Sequence, residues 1–351
     1  MFLTLIREGH HMDNNIQSHT PSALNIKFWG TRGSRTVAAS DFLKYGGYTS
    51  CVEVDIGKTV LVFDAGSGFT NFSSDFQKRV EAESVNPELH MFQSHWHIDH
   101  IIGLEQASIM FDPKIDKTLH ASEFTLTADQ VTLKRGAAEL HNTLFQRPYS
   151  PGLGALHCLV GGLKFQDHEL GKSVEIESEG GLVRITPLPI PHGRELSVGF
   201  RIDAGDTSAC ILTDFSPNFE AKTFGSVHQN LIDNIRGTDL LIADSMYDDA
   251  EFEKMPFLKT FGHASRQEIT AYAEKADIEH IYHTHHNPEH NDVVLAAREE
   301  INAKEVALKG IEAHFSKEGE TISLPLLTRP AFTLKNVAEA LYSPAQFVPV
   351  E

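Results

Sequence analysis

The stretch Ser94-His95-Trp96-His97-Ile98-Asp99-His100 holds four side chains that can bind a metal ion within six residues. It directly follows the apolar run 89–92, which has the length and composition of a short buried strand. A strand that ends in imidazoles and carboxylates places several ligands at one edge of a sheet, and these are ligand types that zinc and similar ions prefer. The alternative is a histidine-rich surface loop, because the chain has 20 histidines among 351 residues. The position of Asp99 among the histidines favours the metal site.

The pattern His95-x-His97-x-Asp99-His100 after a strand resembles the signature of the metallo-β-lactamase superfamily. This resemblance implies a di-metal hydrolase with the four-layer αββα fold. The order of the other elements is independently typical of that architecture, because a series of strands gives way to alternating helices and strands. Such an order favours an α/β (α+β) sandwich of two sheets with helices on the outside.

The chain divides into a polar extension at 1–24 that we expect to be poorly ordered, a hydrolase domain at 25–325 and a tail at 326–351. Alternating or apolar runs predict strands at 24–29, 51–56, 59–63, 89–92, near 119, 183–188, 198–202, 209–212, 240–243, 280–283 and near 314. Helical patterns predict helices at 71–83, from 101, near 128–144, and at 227–234, 266–275 and 293–303. The aromatic and proline-broken segment 145–151 is interpreted either as a lid or dimer contact, or as a loop attached to the core.

Composition excludes several classes of protein. The net charge is −18 and no basic face is visible, so we expect no long nucleic acid as a partner. A small anionic substrate is still possible, since bound metal ions can dominate the local field. No apolar run reaches the ~20 residues of a membrane helix, and the N-terminus lacks a secretory signal, so we expect a cytoplasmic protein. Three widely spaced cysteines indicate neither disulfides nor a thiolate zinc site.

Further candidate ligands occur where other predicted strands end. His192 stands between Pro191 and Gly193 after the strand at 183–188, and a histidine fixed in this way could be a third imidazole for one ion. Asp214 follows the strand at 209–212, where a carboxylate can bridge two cations. A third position follows the strand near 281, where His283, His285 and His286 all remain candidates.

The resemblance implies how these ligands are divided between two ions. His95, His97 and His192 would bind the first, whereas Asp99, His100 and His285 would bind the second, and Asp214 would be shared. Among the three late histidines, His285 matches the last-ligand position of the family, which leaves His286 and His290 at the surface or behind the ligands. An Asp-x-Gly such as Asp64-Ala65-Gly66 packs under the metal loop in that family, although a simple glycine turn explains these residues equally well.

The segment Phe261-Gly262-His263-Ala264-Ser265 lies at the start of the helix predicted at 266–275. An ordinary histidine beside a helix N-cap, with Ser265 as the cap, would explain it. His263 stands 22 residues before His285. In the branch that resembles ribonuclease Z and the cyclic phosphodiesterases, a histidine at this place is the proton donor.

Several strings resemble one subgroup of cyclic-nucleotide phosphodiesterases: Phe28–Ser34, Tyr45–Cys51, His95–Ile101 and His285–Asp292. The likeness runs from about residue 25 to 305. Ala264-Ser265 departs from the subgroup's usual Ser-Thr, and Asn287 from its usual Asp. The resemblance implies hydrolysis of a small cyclic phosphodiester, with Asp99 orienting a hydroxide between two ions, and it implies a homodimer.

Other functions remain open. A ribonuclease Z-like tRNA endonuclease is the first alternative, against which the net charge and the lack of a basic arm stand. A lactonase or another ester hydrolase would give His263 no evident task, and a non-catalytic ligand sensor would not need a full ligand set. Zinc suits the histidine-rich set, although manganese or iron would accept the same ligands.

Overall fold

The computed structural model describes residues 23–122, 124–128, 131–137, 139, 162–193, 195–217 and 227–326. The strands are β1 Ala23–Gly30, β2 Cys51–Ile56, β3 Thr59–Phe63, β4 Glu88–Phe92, β5 Asp116–Ser122, β6 Phe124–Ala128, β7 Val131–Arg135, β8 Leu163–His168, β9 Val174–Ser178, β10 Gly181–His192, β11 Glu195–Ala204, β12 Thr207–Leu212, β13 Leu240–Asp244, β14 His280–Thr284, β15 Glu312–Phe315 and β16 Thr321–Pro325. The helices are α1 Phe69–Glu81, α2 Ile98–Gln106, α3 Val227–Ile235, α4 Asp249–Lys254, α5 Arg266–Lys275 and α6 Asp292–Ala307, with 3₁₀ segments at Ser40–Phe42, Ser108–Phe111 and Pro256–Phe261.

Two seven-stranded sheets pack face to face. Their strand orders are β16-β1-β2-β3-β4-β5-β8 and β15-β14-β13-β12-β11-β10-β9. In β1, alternate residues point into the space between the sheets, where Phe28 belongs to one apolar cluster with side chains of β2, β11 and β13. This alternation is what a half-buried strand requires, because side chains on a pleated strand point to opposite faces.

Helices cover the outer face of each sheet. Phe69, Phe72 and Phe76 form one stripe of α1, and this stripe packs on the outer side chains of β3 and β4. On the other sheet, α3 and α5 bury Leu231 and Ile269 against β12 and β13. The four layers follow the order αββα, and the predicted sandwich is therefore confirmed.

The hairpin of β2 and β3 and the helix α5 have the bounds that the sequence predicts. By contrast, β10 continues to His192, four residues beyond the predicted end of that strand. Pro187, Pro189 and Pro191 occupy alternate positions in the second half of β10, beyond the residues that pair with β9. Because a proline lacks the N–H that a ladder needs, three of them are tolerated where one edge is unpaired. His192 is therefore the last residue of a strand that pairs with β11.

The helix predicted near 128–144 is wrong for residues 128 and 131–135, which belong to the separate two-stranded sheet of β6 and β7, whereas the described residues 137 and 139 are helical. The sequence Val131-Thr132-Leu133-Lys134-Arg135 alternates with a period of two, which favours a strand over a helix. β8, β16 and α4 are further elements that the sequence did not predict. The segment 145–151, residues 1–22 of the extension and residues 327–351 of the tail lie outside the described residues. Across the part of the chain that is described, no helix has the length and apolar character needed to cross a membrane.

Candidate metal centre

The predicted ligands converge at one edge of the sandwich, where the strands end. His95 and His97 lie in the connection after β4, and α2 begins at Ile98 rather than at the predicted 101. Asp99 and His100 are therefore in the first turn of α2. A carboxylate is favoured there, because the N-terminal end of a helix carries a partial positive charge.

One group of side chains surrounds the Oδ2 atom of Asp214. The Nε2 atoms of His95 and His192 lie 3.4 and 3.5 Å from it. His192 Nε2 also lies 3.2 Å from His97 Nδ1. The four side chains offer ligand atoms within 4.8 Å of one another, which is close enough for one metal ion.

A second group surrounds the other oxygen of the same carboxylate. His100 Nε2 and His285 Nδ1 each lie 3.0 Å from Asp214 Oδ1. Asp99 Oδ2 lies 3.4 Å from His100 Nε2 and 3.9 Å from His285 Nε2. The structure thus brings all seven predicted ligands together in the two expected groups, with Asp214 between them.

The hydrogen bonds on the far side of the imidazoles show that these groups suit a cation. His192 Nδ1 lies 2.8 Å from the carbonyl oxygen of Gly262, which can only accept, so this nitrogen carries the proton and Nε2 presents its lone pair to the site. In the same way, His100 Nδ1 donates to Asp64 Oδ2 at 2.7 Å. The lone pair of His100 Nε2 then faces Asp214 Oδ1, and both buried atoms lack a hydrogen-bond partner. A bound metal ion would satisfy both.

The pKa shifts of these side chains also favour a bound cation. Burial lowers the pKa of His192 to about 3, which keeps the imidazole in its neutral, ligand form. Burial alone would raise the pKa of Asp214, but the imidazoles of His100 and His285 hold it well below its usual range. Burial likewise opposes protonation of His100, yet the carboxylates of Asp214 and Asp99 raise its pKa well above the usual value. The concentration of carboxylates therefore creates a strong demand for positive charge at this position.

Asp64 supports the metal loop from below, where the resemblance placed it. Its carboxylate accepts hydrogen bonds from the backbone N–H and the hydroxyl of Ser94, both at 2.9 Å, and from Gln93 Nε2 at 3.0 Å. Three residues at strand ends here are not glycine and yet have positive φ: Asp64 at 61°, Asp214 at 51° and His285 at 59°. Backbone in this region is costly for such residues and concentrates at functional sites.

His285 is separated from its neighbours by this backbone conformation. The sequence pattern suggests that His283 and His285 share a face, but β14 ends at Thr284 and the positive φ turns His285 into the centre. His283 instead lies 2.6 Å from the hydroxyl of Ser245. His286 is not at the surface but buried, with Nε2 2.9 Å from the carbonyl of Ser316, and His290 bonds to Glu251.

His263 lies beside the centre and has a partner that sequence reasoning missed. Its Nδ1 is 2.7 Å from Asp244 Oδ2, and its ring stacks on His285 with 4.9 Å between centroids. Burial alone would lower the pKa of His263, but the carboxylate of Asp244 raises it to about 9. Asp244 is the last residue of β13, so its position as a carboxylate at a strand end was the signal that could have identified it.

These groups open into a cavity of about 380 Å³. It is lined by Ser34, His97, Ile98, Asp99, His192, Asp214, Tyr247, Phe261 and His263. The volume is within the range of small-molecule sites, ~300–1,000 Å³. The backbone N–H of Ser34 donates to Asp99 Oδ2 at 2.8 Å, which fixes that carboxylate at the cavity wall.

Residues 59–286 match a known family, the beta-lactamase superfamily domain. The chain belongs to the beta-lactamase superfamily. The resemblance drawn from the metal loop is thereby confirmed, and together with the buried histidine and aspartate clusters this membership supports a metal-dependent hydrolase. A comparison with curated proteins finds no match.

Several solved structures share this fold over most of their length. YhfI, a metallo-beta-lactamase fold protein from Bacillus subtilis, is 17% identical with a TM-score of 0.56, and the match covers 86% of this chain and 99% of YhfI. A diphosphatase of the PhnP family is 17% identical with a TM-score of 0.54 over 85% of this chain and 97% of its own. The short form of human tRNase Z is 18% identical with a TM-score of 0.54, covering 86% and 99%. At these identities the likeness shows the superfamily fold.

Proposed function

We propose that the protein hydrolyses a small phosphodiester, most specifically a cyclic nucleotide, and that two divalent ions, zinc in the first instance, occupy the two ligand groups. The observation that carries the proposal is His263, held by Asp244 at the wall of the same cavity as the ligand groups. A hydrolase that only needs a metal-activated water does not require a second, separately oriented imidazole at this place. Departure of an alkoxide does require a proton donor.

Two bound ions would lower the pKa of a water and neutralise charge on a phosphoryl oxygen. The chain's own residues would supply the rest. Asp99, fixed by the N–H of Ser34, would orient the attacking water. As the P–O bond breaks, His263 would donate a proton to the departing ribose oxygen, while Asp244 keeps the imidazole in place. Orientation of this kind is as important as charge, because reacting groups must be held in line.

The structural relatives agree with phosphate chemistry, since one is named a diphosphatase and another a tRNase Z. The likeness to tRNase Z also makes tRNA processing the second candidate. The net charge of −18 disfavours tRNA processing, because binding of a long nucleic acid needs a basic surface. Cytoplasmic location and a homodimer remain part of the proposal.

The test is hydrolysis of a panel of 3′,5′- and 2′,3′-cyclic nucleotides by metal-loaded protein, with a tRNA precursor as an additional substrate. We expect Asp214→Ala to lose bound metal and all turnover. His263→Ala should keep its metal content and lose ~10²–10⁴-fold in rate, the usual contribution of a positioned acid. A fully metallated wild type that cleaves tRNA but no cyclic nucleotide would establish the second candidate, and cleavage of neither would refute both.

A further inference from the structure

Two phenylalanines are exposed at the mouth of the cavity. The side chain of Phe261 is 54% exposed and that of Phe257 is 56% exposed. Their rings meet edge to face, with centroids 5.8 Å apart and planes at 78°. Both belong to the 3₁₀ segment Pro256–Phe261, which ends two residues before His263. Exposed apolar surface next to a cavity commonly marks a binding site.

The backbone holds Phe261 in place rather than leaving it on a mobile loop. Gly262, which follows it, has φ of 87°, and its carbonyl accepts the hydrogen bond from His192 Nδ1. A Cβ atom on Gly262 would lie 2.5 Å from that nitrogen and 2.7 Å from the N atom of Gly193, so this turn fits tightly against the metal ligand. Phe261 and His263 therefore flank one fixed turn, and both line the cavity.

Besides the candidate ligands and His263, the cavity is lined by Ser34, Ile98, Tyr247 and Phe261. Among the described residues that line it, none is a lysine or an arginine. Ile98, at the start of α2, contributes another exposed apolar side chain, at 46%. A flat apolar group would find a matching surface on Phe261 and Ile98, whereas a polyol such as glycerol or inositol could bond to Ser34 and Tyr247 but would leave that apolar surface uncovered.

We propose that Phe261, supported edge-on by Phe257, is the platform on which the nucleobase of the substrate stacks. This inference rests on the proposed function and narrows it to phosphodiesters of nucleosides. Stacking of a base on an aromatic ring tolerates any base, because every base has a π face. The platform accordingly selects nucleotides as a class and does not select one base.

The experiment compares a cyclic nucleotide with the base-free ribose 3′,5′-cyclic phosphate. Phe261→Ala should lower kcat/KM for the nucleotide by about tenfold or more, since one stacking contact is worth roughly 5- to 150-fold in affinity. Turnover of the base-free substrate should stay within about twofold. Phe261→Trp should preserve the preference for the base and Phe261→Leu should reduce it. Leu43→Ala is the matched control, since it also removes an exposed apolar side chain, at a residue that is 79% exposed. It should change kcat/KM for neither substrate.

A measurement of ligand binding tests the platform independently of catalysis. Calorimetry with metal-loaded protein compares a nucleoside 5′-monophosphate with ribose 5-phosphate. We expect tighter binding of the nucleotide in the wild type and loss of that preference in Phe261→Ala. If neither cyclic substrate is cleaved and the preference is still present, the phosphodiesterase proposal fails and the platform stands. Equal affinity for both ligands in the wild type, or an equal loss for both in Phe261→Ala, would overturn the platform.

Discussion

Replacement of Gly262 by alanine tests how His192, a proposed metal ligand, is held in position. The residue has φ of 87°, a region that costs an alanine about 1–2 kcal/mol. In addition, the new Cβ would lie 2.5 Å from His192 Nδ1 and 2.7 Å from the N atom of Gly193. The second contact is with backbone, so rotation of one side chain cannot relieve it. Either the turn moves and the hydrogen bond to His192 is lost, or His192 itself is displaced.

A matched variant separates the cost of the backbone conformation from the cost of the steric clash. Gly319 has φ of 82°, and a Cβ placed there meets nothing within 4 Å. We expect Gly319→Ala and Gly262→Ala to share the backbone cost of about 1–2 kcal/mol in the free energy of unfolding. Only Gly262→Ala should also weaken metal binding, by ~10–100-fold, which is typical when the partner that orients a ligating histidine is removed.

Metal content after dialysis and titration against a competing chelator measure the affinity, and urea unfolding of metal-free protein measures the stability. The reasoning requires that the metal affinity of Gly319→Ala equals that of the wild type. If Gly262→Ala also binds two ions with wild-type affinity, then the carbonyl of Gly262 does not position His192, and the tautomer that we assign to this histidine loses its basis.

The remaining predictions concern stability. Burial lowers the pKa of His120 to about 3, with the neighbouring His90 and His168 adding to the effect, so the folded state favours its neutral form. The contribution of His120 to the free energy of unfolding is therefore complete above the unfolded pKa of ~6.5 and is lost as the pH falls. The difference in the free energy of unfolding between wild type and His120→Leu, measured in urea, should shrink by about 2 kcal/mol from pH 7 to pH 5. Parallel pH profiles of the two proteins would contradict this. Arg32→Lys should lower the free energy of unfolding by about 3 kcal/mol, because the buried guanidinium donates to three backbone carbonyls that an ammonium cannot reach together. Arg35→Lys, which alters an exposed ion pair, should change the free energy of unfolding by less than about 0.5 kcal/mol, and equal losses in the two variants would refute the distinction.

Local patterns in the sequence were enough to predict the layers of the fold. The hairpin of β2 and β3 and the helix α5 were predicted with their observed bounds, because a turn signal or a capping serine marks where each one begins or ends. One strand and one strand end that depend on a pairing partner were missed. β16 is a strand because it pairs with β1, almost 300 residues earlier in the chain, and β10 extends to His192 because β11 holds it.

The metal loop itself determined the superfamily, since four potential ligands within six residues are a local property of the chain. The remaining ligands could be proposed only from their positions after strands and from the resemblance. Among His283, His285 and His286, the sequence alone left the choice open. The tertiary structure decides it, because the positive φ of His285 directs its ring to Asp214 while the other two rings bond elsewhere.

The roles of Asp244 and Phe261 could not be predicted from the sequence. One is a carboxylate at a strand end and the other an aromatic residue before a glycine, and many such residues occur in a chain of this length. Their significance comes from what they face: Asp244 holds His263, and Phe261 stands exposed at the cavity mouth. Contacts between residues far apart in sequence depend on how the sheets and helices pack, and no local pattern carries that information. The sequence by itself therefore determined the class of fold and the pattern of the metal loop. Only the tertiary structure decided which of the late histidines joins the other candidate ligands, which carboxylate holds His263 and which aromatic side chain stands exposed at the cavity mouth.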